Sequence, residues 1–111
     1  MDDKHFQVVI CTCPDQTVAE TIAENIVAQR LAACVNIMPQ VRSIYHWEGN
    51  IESAEESLLL IKTHVEKYAS LQNTIENIHP YEVPEIISLD VKDGLPSYLN
   101  WLSTSIFDKR S

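Results

Sequence analysis

Leu58-Leu59-Leu60-Ile61 and Val8-Val9-Ile10 run without a polar interruption, and Ile86-Ile87 is a third such stretch. A strand with one solvated face alternates apolar and polar side chains, because successive residues point to opposite faces. These stretches do not alternate, so the sheet they form is apolar on both faces. Only two segments read as good amphipathic helices, enough to cover one face. The most economical cover for the other face is another copy of the same chain. An obligate oligomer is expected, with function sought at subunit junctions as well as within one subunit.

The segments around these runs order themselves readily. Phe6–Cys13 is the first strand, stopped by Pro14. Asp15 or Thr17 can cap the helix that follows, and Thr17 to Glu20 has capping-box spacing. Val18, Ile22 and Ile26 fall four apart, as do Ala19, Ala23 and Val27, giving a broad apolar stripe over a helix that runs to about Arg30. The second strand opens at Cys34, bends at Pro39 and continues to Trp47. Gly49-Asn50 reads as a two-residue hairpin turn, and the third strand returns over residues 51–65. A second helix carries Tyr68, Leu71, Ile75 and Ile78 on one face and ends at His79-Pro80, since a residue before proline is pushed out of the helical region. Residues 83–91 hold the fourth strand, and residues 96–106 a short terminal helix. The order β-α-β-β-α-β with a helical tail fits a single-domain α+β ferredoxin-like sandwich over residues 1–111. The hairpin arms run about a dozen residues, where strands usually have about 5–6. Their tip must overhang the sheet, with Tyr45 and Trp47 on it, and so is an arm suited to pairing with a neighbour.

Composition narrows the function classes. Eight basic against sixteen acidic residues give a net charge of −8, with no cluster of Lys and Arg, so nucleic acid and anionic membrane are excluded as expected partners. No apolar run approaches the roughly 20 residues of a membrane span. The opening Met1-Asp2-Asp3-Lys4 is acidic where a signal peptide is basic, and a cytoplasmic address with three reduced thiols is expected. There is no Cys-x-x-Cys pair, no pair of His four apart, and no glycine-rich phosphate loop, only Gly49 and Gly94. With Gly49-Asn50 as the turn, His46 faces Ser53 and His64 faces Val35. The two imidazoles then lie on the order of 30 Å apart and share no metal within a subunit. His5 reads as a solvated end residue.

Several blocks are distinctive together: Leu31-Ala32-Ala33-Cys34-Val35-Asn36, Ser43-Ile44-Tyr45-His46-Trp47-Glu48-Gly49, Leu60-Ile61-Lys62-Thr63, His79-Pro80-Tyr81 with Pro84-Glu85-Ile86, and Tyr98-Leu99-Asn100-Trp101-Leu102. Over about residues 8–101 the chain resembles the CutA family of divalent-cation tolerance proteins. The resemblance implies a tight homotrimer with sheets facing inward, and tolerance of copper and other divalent metals. Copper is the implied ligand, no cofactor is needed for folding, and no catalytic activity is implied. The trimer also resembles PII-type signalling proteins in architecture, which is analogy of fold.

Cys11 and His79 match the family's proposed copper ligands. Imidazole suits Cu(II), while thiolate draws copper towards Cu(I). Ile78 stands where some members carry a second His, which removes one ligand. The competing reading of Cys11 is a small buried hydrophobe. Glu85 matches a family carboxylate and is a ligand, a group orienting His79, or a salt-bridge partner of Lys62. Cys13 is open as an added ligand, since Cys-x-Cys places two sulfurs on one strand face, but packing is the favoured reading for it and the default for Cys34. Lys62 follows four apolar residues and either needs a carboxylate or lays its stem along the sheet with its ammonium in water. Lys62, Tyr81 and Trp101 are read as the lining of an inter-subunit cleft, and Tyr45, Trp47 and Tyr98 as interface packing. The leading expectation is a non-enzymatic trimer that binds copper or other divalent ions through Cys11, His79 and Glu85. The alternative is a PII-like sensor that takes a small molecule in that cleft and signals to a partner protein. A hydrolase using Cys11 or Cys13 with His79, and a purely structural trimer, are weaker readings.

Overall fold

The computed structural model describes residues 5–107; the acidic residues 1–4 lie outside it. Four strands and three helices follow in the expected order: β1 (Phe6–Cys13), α1 (Gln16–Ala28), β2 (Cys34–Trp47), β3 (Asn50–His64), a 3-10 turn (Val65–Lys67), α2 (Tyr68–Ile78), β4 (Ile86–Asp90) and α3 (Pro96–Phe107). The sheet is antiparallel throughout, in the order β2-β3-β1-β4.

The central pair β1–β3 runs from Phe6↔His64 to Cys13↔Ser57. Alternation sends Val9, Cys11, Cys13, Leu59 and Ile61 to one face, where they are buried against Ala19, Ile22 and Ile26 of α1 and Leu71 and Ile75 of α2. The opposite face carries Val8, Ile10, Leu58 and Leu60, flanked in register by Ile87 and Leu89 of β4 and Met38 of β2. Ile87 and Leu89 are 50% and 53% exposed within one chain. The doubly apolar strands thus have one covered face and one largely open face. Helix α3 covers only the end of the open face, where the Phe107 ring meets the buried His64 ring edge-on at 5.1 Å.

Local chemistry sets the helix ends. Asp15 is the cap of α1, its carboxylate accepting from the Val18 N–H at 2.8 Å, while Thr17 lies inside the helix. The other end closes through two backbone bonds, Arg30 N–H to Val27 C=O and Leu31 N–H to Ile26 C=O, with Arg30 left-handed at φ 59°. This is a Schellman closure, usually built on glycine. The Arg30 guanidinium is held by the Ser105 carbonyl of α3 at 2.6 Å. At the end of α2, His79 is extended at ψ 135°, as its following proline requires.

The hairpin differs from expectation in register. Trp47 pairs with Asn50, so the turn residues are Glu48 and Gly49, both left-handed at φ 49° and 82°. A two-residue turn matched to strand twist needs two positive φ angles in succession, which places the glycine second. His46 therefore faces Ile51, not Ser53. A bulge between Met38 and Val41 shifts the ladder again, and Val35 faces Ile61, while His64 pairs with Phe6. Pro39 lies in this bulge, where its missing N–H breaks no ladder bond. Fourteen residues of β2 and fifteen of β3 make the ribbon. Pairing with β1 stops at Ser57, so residues 50–56 and their partners overhang, and the described chain is 47 Å long by 25 and 22 Å. The fourth strand is shorter than expected, because residues 79–85 form a loop instead.

Leu59 is fully buried between sheet and helices. Leu59→Ala is expected to cost about 2–5 kcal/mol, as a core Leu leaves a cavity that collapses only in part. Denaturant unfolding at fixed protein concentration checks it; a loss under about 1 kcal/mol contradicts the packing described.

Candidate metal centre

The last turn of β1 and the first residue after α2 meet. Strand alternation puts Cys11 and Cys13 on the helix-covered face, and the pre-proline kink brings His79 to the same place. One ligand atom from each of Cys11, Cys13 and His79 lies within 4.8 Å of the other two, and all three residues are buried. The His79 ring is held at both nitrogens. Its Nδ1 accepts from the Tyr81 N–H at 3.1 Å, so the proton is on Nε2, which donates to the Thr12 carbonyl at 2.8 Å. The same carbonyl accepts from the Cys11 Sγ at 3.8 Å. Ligation through Nε2 therefore requires that nitrogen to lose its proton and its bond to Thr12.

The thiols are not equivalent. Its hydrogen bond with Cys13, then burial, then the charges of Cys13, Glu85 and Glu56 push the Cys11 thiol well up. The same hydrogen bond from Cys11 lowers Cys13, against burial and the carboxylates. Cys13 is the thiol that gives up its proton first, and thiolate is the form that binds metal. Two sulfurs and an imidazole are a soft to borderline donor set, which fits copper or zinc and does not fit calcium or magnesium.

Against expectation, Cys13 joins this cluster and Glu85 stands outside it, acting on Cys11 through its charge. The alternation of β1 was the signal for Cys13. The cleft trio falls into two places within one chain. Lys62 extends to the Asn36 side-chain carbonyl and lies 3.9 Å from the Cys34 Sγ; that is its partner, rather than Glu85. Tyr98, stacked on Trp101 at 5.8 Å, reaches the same Cys34. Tyr81 is at the other end of the sheet. Its hydroxyl donates to Glu56 at 2.7 Å, beside the His79 ring and on the wall of a cleft of about 620 Å³ that the sequence did not announce.

Comparison with known proteins follows from this geometry. Residues 7–105 match the CutA1 divalent ion tolerance protein family. The chain belongs to that family. It is 46% identical to the divalent-cation tolerance protein CutA of Thermus thermophilus, over 86% of this chain and 93% of that protein. It is 50% identical to a CutA homolog of Xenopus laevis over 82% of this chain, and spans 60% of that relative's length. The crystal structure of CutA1 from Oryza sativa superposes with a TM-score of 0.91 at 37% identity, covering 97% of this chain and all of that one (100%). The α+β fold with its four-stranded sheet is therefore that of the family.

Burial, then the Glu56 carboxylate, raises the Tyr81 phenol, and burial with Cys34 nearby raises Tyr98. Unfolded phenols ionise near pH 10. The folded chain holds these protons longer, so the associated stability is present below about pH 10 and is lost as pH rises beyond it. An absorbance titration of the phenolate should show two of the four tyrosines ionising late, with Glu56→Gln moving one of them part of the way back. Four ordinary titrations contradict the Tyr81–Glu56 contact.

Proposed function

We propose that the chain is a non-enzymatic metal-handling protein that binds copper, with Cys11, Cys13 and His79 as ligands. The observation that carries this is the convergence of three soft donors within 4.8 Å of one another in a buried position. Glu85 contributes negative charge beside the thiols, which favours a bound cation. The double thiol points to Cu(I) as the form held most tightly. Divalent-cation tolerance in the names of the relatives is in keeping with this chemistry. A reducing compartment such as the cytoplasm keeps the three free cysteines available. Among the described residues no helix is long and apolar enough to cross a membrane.

The working unit we infer is a homotrimer, its copies covering the face that bears Ile87 and Leu89. The absence of catalysis is supported by the state of His79, whose two ring nitrogens are committed to Tyr81 and Thr12, leaving no base poised on either thiol.

Anaerobic titration with Cu(I) against a competing chelator tests the site. One ion per chain is expected. Cys13→Ser and His79→Gln should each weaken binding by at least tenfold, and affinity should rise with pH as ligands release protons. Unchanged affinity in both variants, with folding intact by circular dichroism, overturns the assignment.

A further inference from the structure

The chain has three cysteines, and only two of them share a site. Cys34 lies in the Lys62 row of the sheet, its Sγ 3.9 Å from the Lys62 Nζ. Cys11 and Cys13 stand two apart on the helix-covered face of β1, hydrogen-bonded thiol to thiol and wholly buried. All three are free thiols. In a regular strand the α-carbons of such a pair lie about 6.5 Å apart, at the upper end of the span that a disulfide bridges. The backbone there is also held less firmly than in the middle of the strand. Pairing with β4 stops at Cys11↔Ile86, so Cys13 has a neighbour only on the β3 side, Ser57, and it is the last residue of the strand.

Burial decides what can oxidise this pair. Thiol–disulfide exchange needs a thiol or disulfide to reach the sulfur it attacks, and neither sulfur is open to a bulky partner. A metal ion held at the pair needs no such approach. Imidazole suits Cu(II), while thiolate draws copper towards Cu(I), and His79 stands beside both sulfurs. We propose that Cys11 and Cys13 together donate two electrons and reduce Cu(II) to Cu(I). Both S–H bonds break and one sulfur–sulfur bond forms between Cys11 and Cys13. Two Cu(II) ions, arriving in turn, take one electron each, and two protons pass to solvent. The reaction is stoichiometric, since each chain reacts once. It rests on the copper reading of the same residues and adds a direction to it. The disulfide removes two of the three ligands, so the oxidised site releases the ion that the reduced site holds.

The test starts from the assembled protein, fully reduced, freed of reductant and given two equivalents of copper(II) sulfate per chain without oxygen. Electron paramagnetic resonance counts the Cu(II) that remains, and alkylation after an acid quench counts the thiols. Both Cu(II) signals and two thiols per chain should be lost, with Cys11 and Cys13 linked inside one peptide and Cys34 still alkylated. Cys13→Ser should slow the loss of signal at least tenfold, and Cys34→Ser should not change it. Zinc sulfate in place of copper should leave every thiol to the alkylating reagent. A Cu(II) signal that persists with all thiols intact, a link between chains instead of within one, or thiol loss with zinc overturns the proposal on the parent chain alone. Equal reduction by Cys13→Ser overturns it as well. Titration of the reduced chain with Cu(I) separates the two readings: tight Cu(I) binding without reduction of Cu(II) leaves the metal site standing and removes the electron transfer.

Discussion

Everything in this chain hangs on the pairing of β1 with β3. Eight residues of β1 lie in continuous register against β3, and both strands are apolar on both faces. Burying apolar surface is worth roughly 25 cal/mol per Å², so neither face is stable in water. One face is settled within the chain, by Ile22 and Ile26 of α1 and Leu71 and Ile75 of α2. The other is settled at one end only, by α3 through Phe107 on His64. Ile87 and Leu89 remain half exposed. That imbalance is the physical root of the trimer we propose.

The same pairing builds the metal centre. Because β1 ends on the helix-covered face with Cys11 and Cys13, and α2 ends at a histidine that Pro80 forces into an extended conformation, three soft donors meet without any dedicated loop. The Thr12 carbonyl and the Tyr81 N–H hold the imaginable ligand ring of His79 in one orientation and one tautomer. Buried polar groups are costly unless partnered, so the site is self-satisfied before any ion arrives. An ion must replace those partners with something better, which a thiolate pair does for copper and not for a hard cation.

Much of this was legible in the sequence, for definite reasons. Hydrophobic runs without alternation reported a sheet apolar on both faces, and the length of the hairpin arms reported the overhang. Pro80 reported the end of α2. What was not legible began with a backbone decision at the hairpin tip. The turn was read one residue late because Gly49-Asn50 looks like a turn pair, whereas Glu48 accepts the left-handed conformation and Gly49 takes the second position. The bulge at Pro39 and Gln40, left-handed at φ 60°, then moved the ladder again. Side-chain convergence was the harder part. Cys13 reads chiefly as packing in the sequence although it shares a face with Cys11, and Glu85, open there as ligand, orienting group or salt-bridge partner, lies outside the donor cluster. Lys62, Tyr81 and Trp101 are equally distinctive in sequence but sit at two ends of the sheet, since Lys62 lies in the Val8 row and Tyr81 reaches Glu56, just beyond the last pair of β1 with β3.

The central claim is that the open face of this sheet is covered by copies of the chain. Its most direct test is the mass of the protein in solution, by sedimentation equilibrium at low micromolar concentration. The account predicts three times the chain mass of 12.6 kDa, unchanged on dilution through the accessible range. A species of a single chain mass, with Ile87 and Leu89 left in water, would contradict it.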